Sequence, residues 1–371
     1  MKINKKVYIN YFDSISCAGN NSEELFDSIC SKKDTITVDS SYVDNRSVAI
    51  GKIKRDKDLN EILTERCENL LTNSKLKDFS KTLLIIGSSV GGMDETEKLF
   101  FKNKNYKEIN PKKHPVDAIS YFLKEKYKFY DDVSFSTACT SSANALGYAK
   151  EVLSKGLYEN VLVVGIDALS HTTVCGFSAL SVLSSKTCTP FDKNREGMNV
   201  SEGFGILLLE TIKKENSIEL CGVGYSSDAH HMTQPHPEGL GAQKAMQNAL
   251  ENSCLNINDI SYINAHGTGT YANDFAELNA IKSLFTEKKP KVSSTKSITG
   301  HTLGAAGAIE AIISCMVLQK QIIPSNKGLK EIEIEGINYS IETITSKIDY
   351  VISNSFAFGG NNTSLIFGLA K

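Results

Sequence analysis

The chain has 371 residues, of which 41% are hydrophobic, so it can form two or three domain-sized units with a large buried core. Its 41 Lys and Arg residues nearly balance 43 Asp and Glu residues, for a formal net charge of -2, and this leaves no bulk basic field to gather nucleic acid or an anionic membrane. The N-terminal apolar stretch, residues 7–12, is interrupted by Asn10 and is too short for a signal-peptide core, so we expect a cytoplasmic protein.

Short β-branched and apolar runs alternate with helical patterns along the chain. They predict strands at residues 82–86, 133–136, 161–164, 206–209, 262–264, 292–294, 351–353 and 364–367. This alternation is typical of an α/β layered fold, and runs that are apolar throughout indicate a sheet with helices on both faces. The longest stretch of small and apolar residues, 301–318, carries Glu310 near its middle and predicts a buried helix rather than a membrane span.

The same order of parts occurs twice. Each half contains a strand, a short turn and a helix of small residues, followed by two further strands. In the first half the turn carries Cys139, and in the second half it carries Lys296 and His301. The repetition predicts two similar halves, residues 1–213 and 214–371, packed tightly against each other.

Cys139 is the candidate nucleophile. It follows a predicted strand in the segment S-T-A-C-T-S-S-A-N, residues 136–144, and falls at or near the first turn of a helix. Unpaired backbone N–H groups and the helix dipole favour a thiolate there, so we expect a lowered pKa for this thiol. Its small neighbours leave room for an acyl group, although a cysteine in such a segment can also be a plain packing residue.

The second half offers partners for a nucleophile. His266 follows a predicted strand in the glycine-rich segment N-A-H-G-T-G-T, residues 264–270, where a substrate or another backbone can approach closely. Lys296 and His301 share one turn, which the internal repetition places opposite the Cys139 turn. A single histidine is more often structural, and a single lysine is more often a surface charge.

Two further features complete the candidate site. Lys296 lies between an apolar strand and a Gly/Ala-rich helix, so it is expected to be partly buried and to need a carboxylate partner such as Glu310 or Glu277. The segment N-S-F-A-F-G-G-N-N, residues 354–362, places Phe356 and Phe358 before paired glycines. It is either core plus a turn, or a loop that covers a cleft and offers a backbone N–H to an oxyanion.

Together these segments resemble the β-ketoacyl-acyl-carrier-protein synthases. The resemblance rests on T-A-C-T-S at residues 137–141, N-A-H-G-T-G-T at 264–270, S-T-K-S-I-T-G-H at 294–301 and N-S-F-A-F-G-G at 354–360, supported by P-F-D-K-N-R-E-G at 190–197 and S-S-D-A-H-H-M-T at 226–233. The chain is most similar to the elongating Cys-His-His type, synthase II, of the thiolase superfamily. This resemblance implies a thiolase-like five-layered αβαβα fold, a dimer, and chain extension by decarboxylative Claisen condensation, as in fatty acid, polyketide or polyene biosynthesis.

The resemblance also implies roles for individual residues. Cys139 would take the acyl chain as a thioester from acyl carrier protein, and His266 and His301 would bind the malonyl thioester carbonyl and stabilise the enolate formed on loss of carbon dioxide. The backbone N–H groups of Cys139 and Phe358 would form the oxyanion hole. The reaction would need no organic cofactor and no metal.

The resemblance also implies roles for residues around the three catalytic ones. Lys296 would hold His301 and tune its field, with Glu310 balancing the charge. Phe356 and Phe358 would lie on a gating loop that admits the malonyl group only after acylation. Residues 111–132 depart strongly from the family pattern, which leaves the length and identity of the acyl chain open. The sequence also leaves open whether the dimer is a homodimer or a heterodimer.

Three alternatives remain. The segment G-S-S-V-G, residues 87–91, fits the nucleophile elbow of serine hydrolases, with Ser89 as nucleophile and His266 as base. The chain could instead be a partner subunit of the chain-length-determining kind, although such subunits lack the cysteine. A degradative thiolase shares the fold, but it generally uses a second cysteine as its base.

Overall fold

The computed structural model describes residues 5–44 and 46–370. Its α-helices are α1 (Ser22–Cys30), α2 (Leu59–Ser74), α3 (Met93–Asn103), α4 (Ala118–Tyr127), α5 (Ser141–Ser154), α6 (His171–Ala179), α7 (Leu240–Ser253), α8 (Tyr271–Leu284), α9 (Lys296–Thr299) and α10 (Ala306–Lys320). Its strands are β1 (Tyr8–Ser16), β2 (Thr37–Asp39), β3 (Val48–Ile50), β4 (Thr82–Gly87), β5 (Asp131–Phe135), β6 (Asn160–Asp167), β7 (Gly203–Glu210), β8 (Ile218–Ser227), β9 (Ile260–Asn264), β10 (Lys291–Ser293), β11 (Ile322–Ile323), β12 (Asn338–Tyr339), β13 (Ile344–Thr345), β14 (Tyr350–Phe356) and β15 (Asn361–Leu369).

The large sheet contains the same five-stranded unit twice. Its order is β12-β10-β9-β14-β15-β8-β1-β7-β6-β4-β5, so the first half reads β1-β7-β6-β4-β5 and the second half reads β8-β15-β14-β9-β10 from the same starting point. In each unit the three last-named strands are parallel and the first two are antiparallel to their neighbours. The units join where β1 pairs with β8 at Tyr8 and Ile9.

Helices divide the molecule into five layers. Helices α5 and α10 pack against each other and against strands of both units, and they form the middle of the largest hydrophobic cluster. Helices α2 and α4 cover the outer face of the first unit, and α7 and α8 cover that of the second. The predicted five-layered αβαβα fold is therefore confirmed. The two-domain boundary between residues 213 and 214 falls in the connection from β7 to β8 and stays a prediction.

The middle layer is built from small residues so that two helices fit between the two units of the large sheet. A Cβ on Gly307 of α10 would lie 2.6 Å from the Ala143 backbone nitrogen of α5, so only glycine permits this approach. The segment Leu303–Lys320 has the length and mean hydropathy, 1.4, of a membrane span, but 89% of it is buried inside the protein. It has the position of a core helix, as the sequence predicted.

The strand predictions were correct in place but incomplete. All eight predicted runs lie in or overlap observed strands, while the central strands β1 and β8 were missed. Polar residues interrupt the sequence of β1, and β8 contains Gly222, where a Cβ would lie 2.4 Å from the Ala249 carbonyl oxygen of α7. The predicted helix over residues 301–318 was wrong at its start, since α10 begins at Ala306 and His301 lies before it in a bridge to Val200.

Candidate active site

Loops from both halves meet at a cavity of about 330 Å³. Its lining includes Cys139, His266, His301, Phe356 and Phe358. The Cys139 sulfur and a ring nitrogen of each histidine all lie within 4.8 Å of one another. Since parallel strands of each unit end on this side of the sheet, the structure brings together Cys139 and His301, which lie 162 positions apart in the chain.

The Cys139 turn is strained and strongly held. Ala138, just before the cysteine, has a φ of +53°, in the left-handed region that non-glycine residues rarely adopt. The Ala138 carbonyl oxygen accepts hydrogen bonds from Ser141 Oγ at 2.6 Å and from Ser89 Oγ at 3.0 Å. This sharp turn between β5 and α5 directs the sulfur into the cavity, as a nucleophile elbow does.

The thiol of Cys139 is not acidified in the resting site. Burial raises its pKa to about 12, although the Lys296 charge and the backbone N–H groups of Cys139 and Phe358 each lower it. The expectation of a lowered pKa was therefore wrong, because desolvation of the thiolate outweighs the dipole and the nearby positive charge. These two backbone N–H groups therefore lie close enough to the sulfur to stabilise its anion.

His301 faces the sulfur as a neutral hydrogen-bond donor. Its Nε2 lies 3.1 Å from Cys139 Sγ. The Leu303 backbone N–H donates to its Nδ1 at 3.2 Å, which assigns the proton to Nε2. Burial and the Lys296 charge hold the pKa of His301 well below its usual range, so the ring stays neutral.

His266 stands perpendicular to His301, with ring centroids 5.2 Å apart. Lys296 Nζ lies 3.4 Å from its Nδ1 and donates to its carbonyl oxygen at 2.6 Å. Because an ammonium can only donate, the proton of this imidazole is assigned to Nε2 as well. Burial, the Lys296 charge and His301 hold the pKa of His266 well below its usual range.

Lys296 is buried and forms an ion pair with Glu310, one of its two predicted partners. Burial raises the pKa of Glu310 against the opposing effect of Lys296. Glu277 instead accepts the backbone N–H groups of His266 and Gly267, at 2.9 and 2.8 Å. Within the described residues, the Lys296 ammonium contacts Glu310 and His266 and forms no hydrogen bond with His301, which corrects the expected contact.

Phe358 lies at the tip of the hairpin between β14 and β15. Gly359 and Gly360 turn this hairpin with φ values of +86° and +80°. The Phe358 ring packs 6.0 Å from Phe177, and the Phe356 ring lies 6.0 Å from His266. The hairpin therefore closes one side of the cavity with aromatic rings while its backbone N–H reaches the sulfur.

The cysteine and the two histidines also have the composition of a metal site. Zinc would need the unprotonated Nε2 of both rings, yet both Nδ1 atoms face donors, which assigns the protons to Nε2. The Lys296 ammonium beside His266 opposes a further cation. The arrangement suits binding of an oxygen atom that carries developing negative charge.

Ser89 does not fit the role of a hydrolase nucleophile. Its Oγ donates to the Ala138 carbonyl, and Ser89 is not among the described residues that line the cavity. Sequence reasoning missed two features: the hydroxyls of Thr268 and Thr270 at the cavity wall, and the buried carboxylate of Asp167 behind it. The sequence feature that could have indicated Asp167 is a single carboxylate at the end of an apolar strand.

Comparisons with known proteins agree with this geometry. Residues 59–215 match the model of the β-ketoacyl synthase N-terminal domain, and residues 218–330 match that of the C-terminal domain. The 3-oxoacyl-[acyl-carrier-protein] synthase 2 of Vibrio harveyi is 34% identical over 307 residues, which cover 76% of this chain and 74% of the relative. The enzyme of the same name from Staphylococcus aureus is 33% identical over 309 residues, covering 76% and 75%.

Solved structures extend the likeness to the whole chain. A ketosynthase of Xenorhabdus doucetiae, in complex with its chain length factor, superposes with a TM-score of 0.90 at 30% identity, covering 99% of this chain and 98% of that one. A β-ketoacyl synthase of Burkholderia phymatum gives a TM-score of 0.88 at 26% identity, covering 99% and 100%. With both domain models matched and relatives above 30% identity, this chain belongs to the β-ketoacyl synthase family of acyltransferases.

Proposed function

We propose that this chain is a 3-oxoacyl-acyl-carrier-protein synthase that extends a Cys139-bound acyl chain with a malonyl unit. The observation that carries the proposal is the cavity in which one sulfur, two imidazole N–H groups and two backbone N–H groups converge. Each part of that set has a task in condensation. A nucleophile accepts the acyl chain, and the donors stabilise oxygen atoms that become negative.

In the acylation step, Cys139 sulfur forms a bond to the acyl carbonyl carbon and the carrier's carbon–sulfur bond breaks. The thiol proton leaves with the carrier sulfur. The backbone N–H groups of Cys139 and Phe358, which point at the sulfur, would donate to the thioester oxygen. Because the pKa of the thiol is raised, we expect the thiolate to form only as substrate arrives.

In the condensation step, the malonyl carbon–carbon bond breaks and carbon dioxide leaves. The remaining enolate oxygen would accept hydrogen bonds from Nε2–H of His266 and His301. The enolate carbon then bonds to the acyl carbonyl carbon, and the bond to Cys139 breaks. The released thiolate takes up a proton from water, which restores the resting thiol.

Carrier protein is the expected partner, because its prosthetic arm must reach Cys139 through the cavity. The hydroxyls of Thr233, Thr268 and Thr270 line the wall beside apolar residues such as Val182 and Met198. Such a lining offers hydrogen bonds to the amides of a pantetheine arm and apolar contact to its methylene groups. We place the enzyme in the cytoplasm, where its thiol substrates and Cys139 stay reduced.

A second synthase-like chain is also expected. Strand β5 forms one edge of the sheet, and all five of its residues are only partly buried. Tyr121 and Tyr130, near this edge in sequence, are 67% and 65% exposed. Because Cys139 is present, we assign this chain the catalytic role in either a homodimer or a heterodimer, as the Xenorhabdus ketosynthase pairs with its chain length factor. Co-purification with a similar chain lacking that cysteine would identify the heterodimer.

The test is release of labelled carbon dioxide from malonyl carrier protein together with formation of a 3-oxoacyl product. We expect both from the native chain, and a loss of product by ~10³-fold or more in Cys139→Ala. The exposed cysteine in Cys254→Ala provides the matched control, with full activity. Cleavage of acetoacetyl-CoA without release of carbon dioxide would instead identify a degradative thiolase.

A further inference from the structure

Asp167 ends strand β6 behind the cavity and is only 1% exposed. Its carboxylate accepts a hydrogen bond from Ser88 Oγ at 2.6 Å and from the Val90 backbone N–H at 3.0 Å. Both of its oxygens lie 3.0 Å from the Ser89 backbone nitrogen, and the Gly304 N–H donates at 2.6 Å. Among the described residues no cation pairs with it, so hydrogen bonds alone solvate this buried charge.

One side of this network leads to the nucleophile. Asp167 fixes the Ser89 backbone, and Ser89 Oγ holds the Ala138 carbonyl oxygen at 3.0 Å. That carbonyl belongs to the same planar peptide as the Cys139 N–H, so fixing the oxygen fixes the direction of the N–H. The held peptide is the strained one, since Ala138 has a φ of +53°.

The other side leads to His301. Gly304 donates to Asp167, and its neighbour Leu303 donates to Nδ1 of His301. Leu303 also has a left-handed φ of +52°, which is costly for a branched side chain. A Cβ on Gly304 would lie 2.8 Å from the carboxylate and 2.6 Å from the Ser89 nitrogen, so the contact has no room for any other residue.

We propose that Asp167 is a positioning residue that holds the oxyanion-hole peptide of Cys139 and the His301 turn in register with each other. It touches neither substrate nor the reacting atoms, and it acts through two strained peptides that need an anchor. The inference rests on the proposed function, which defines the two half-reactions that Asp167 would support: acylation of Cys139 and decarboxylation of the malonyl group. Its geometry stands independently of which acyl chain is used.

Protonation offers a readout that a merely structural residue would not give. Burial raises the pKa of Asp167 to about 6 against the opposing effect of its four hydrogen-bond partners. Below that pH one oxygen becomes a donor and can no longer accept from Gly304 or Ser89. The titratable groups that face it across these loops are the Cys139 thiol and, three residues before Gly304, the neutral His301.

The main test compares Asp167→Asn with the native chain. The asparagine NH₂ group would face an N–H donor, so we expect both acylation of Cys139 and malonyl decarboxylation to fall by ~10- to 100-fold. The native acylation rate should decline below about pH 6, and this acidic decline should be absent in the variant. Asp94→Asn, another buried carboxylate but one paired with Lys98, is the matched control and should retain both rates.

A second variant separates the side of the network that leads to Cys139 from the side that leads to His301. Ser89→Ala removes only the contact to Ala138, so acylation should fall while decarboxylation stays near the native rate. Alkylation of Cys139 by iodoacetamide, followed by peptide mass spectrometry, measures the cysteine side without any substrate. Equal rates in Asp167→Asn and the native chain would overturn the inference, whereas a native chain that alkylates normally but never condenses would overturn the proposed function instead.

Discussion

Each half of the molecule uses a buried carboxylate to hold the loop that follows its equivalent strand, β4 or β9. In the first half Asp167 accepts the Ser89 and Val90 backbone N–H groups, and in the second half Glu277 accepts those of His266 and Gly267. The second half has a further feature beside its loop, because it also buries the Lys296 cation against Glu310. Both halves thus hold this loop through a carboxylate, and the second half adds the Lys296–Glu310 ion pair beside its two histidines.

The two halves present different chemical groups to the cavity. The first half presents a sulfur and backbone N–H groups, which need orientation more than charge. The second half must keep two imidazoles neutral at a site of developing negative charge, and the Lys296 cation helps to hold the pKa of both rings low. A buried cation can persist there only with a carboxylate beside it.

The largest effect is expected on stability when that pair is broken. Lys296→Met leaves the Glu310 carboxylate buried without its cation, which should lower the free energy of unfolding by about 3–5 kcal/mol. Urea unfolding at pH 8 measures this loss. It should shrink at lower pH, because the raised pKa of Glu310 lets the carboxyl become neutral without leaving the core.

The double variant Lys296→Met/Glu310→Gln is the control for this prediction. With no charge left to bury, most of the stability should return although condensation stays impaired. If the single and double variants unfolded alike, Glu310 would not be the charge that Lys296 balances. Asp167→Asn should cost less stability than Lys296→Met, since Asp167 has no salt bridge among the described residues.

The next effect separates the two carboxylates. Glu277→Gln should lower malonyl decarboxylation by ~10- to 100-fold, because the amide cannot accept the N–H groups of both His266 and Gly267. Acylation of Cys139 should stay near native. Burial raises the pKa of Glu277 to about 7, so native decarboxylation should decline below pH 7, at higher pH than the decline of acylation near pH 6.

Initial rates of the two half-reactions between pH 5 and 8 check this order. The Glu277→Gln variant should lack the decline of decarboxylation near pH 7 and keep the decline of both half-reactions below about pH 6, which comes from Asp167. A single acidic limb shared by both half-reactions in the native chain would mean that one group controls the whole site. Glu277 would then have no effect of its own on decarboxylation.

Much of this site could be predicted from the sequence, because its chemistry lies in short segments. Cys139, His266 and His301 each follow a strand within a motif of small residues, and the repetition of parts placed their turns together. The roles of these residues stay proposals. The partner of Lys296 was narrowed to Glu310 or Glu277, but only tertiary packing decides between two buried carboxylates.

Other features depend on balances that the sequence does not contain. The pKa of Cys139 was expected to fall, because a helix N-terminus is visible in the sequence and the depth of burial is not. The contact of Asp167 with Gly304 joins residues 137 positions apart, with no motif on either side. The hydrogen bond from the Leu303 N–H to Nδ1 of His301 is likewise a property of the folded backbone before α10.

The smallest predicted effect compares the connections that follow β6 and β14. Helix α6, after β6, contains Gly176, and the hairpin after β14 contains Gly359; a Cβ at either position would meet no atom within 4 Å. The positions differ in the backbone, since only Gly359 has a positive φ, of +86°. Gly359→Ala should therefore strain the Phe358 hairpin by about 1–2 kcal/mol and slow acylation a few-fold.

Gly176→Ala is the matched control, because the same methyl group enters equally open space in a helix. It should leave acylation unchanged and raise the free energy of unfolding by up to about 1 kcal/mol, the usual gain for alanine over glycine in a helix. Acylation rates and urea unfolding of the two variants test both signs. If both variants slowed acylation equally, added bulk near Phe177 and Phe358 would explain the effect, and the strain of the hairpin backbone would not. If only Gly359→Ala slows acylation, then acylation depends on the conformation of the backbone that carries the Phe358 N–H.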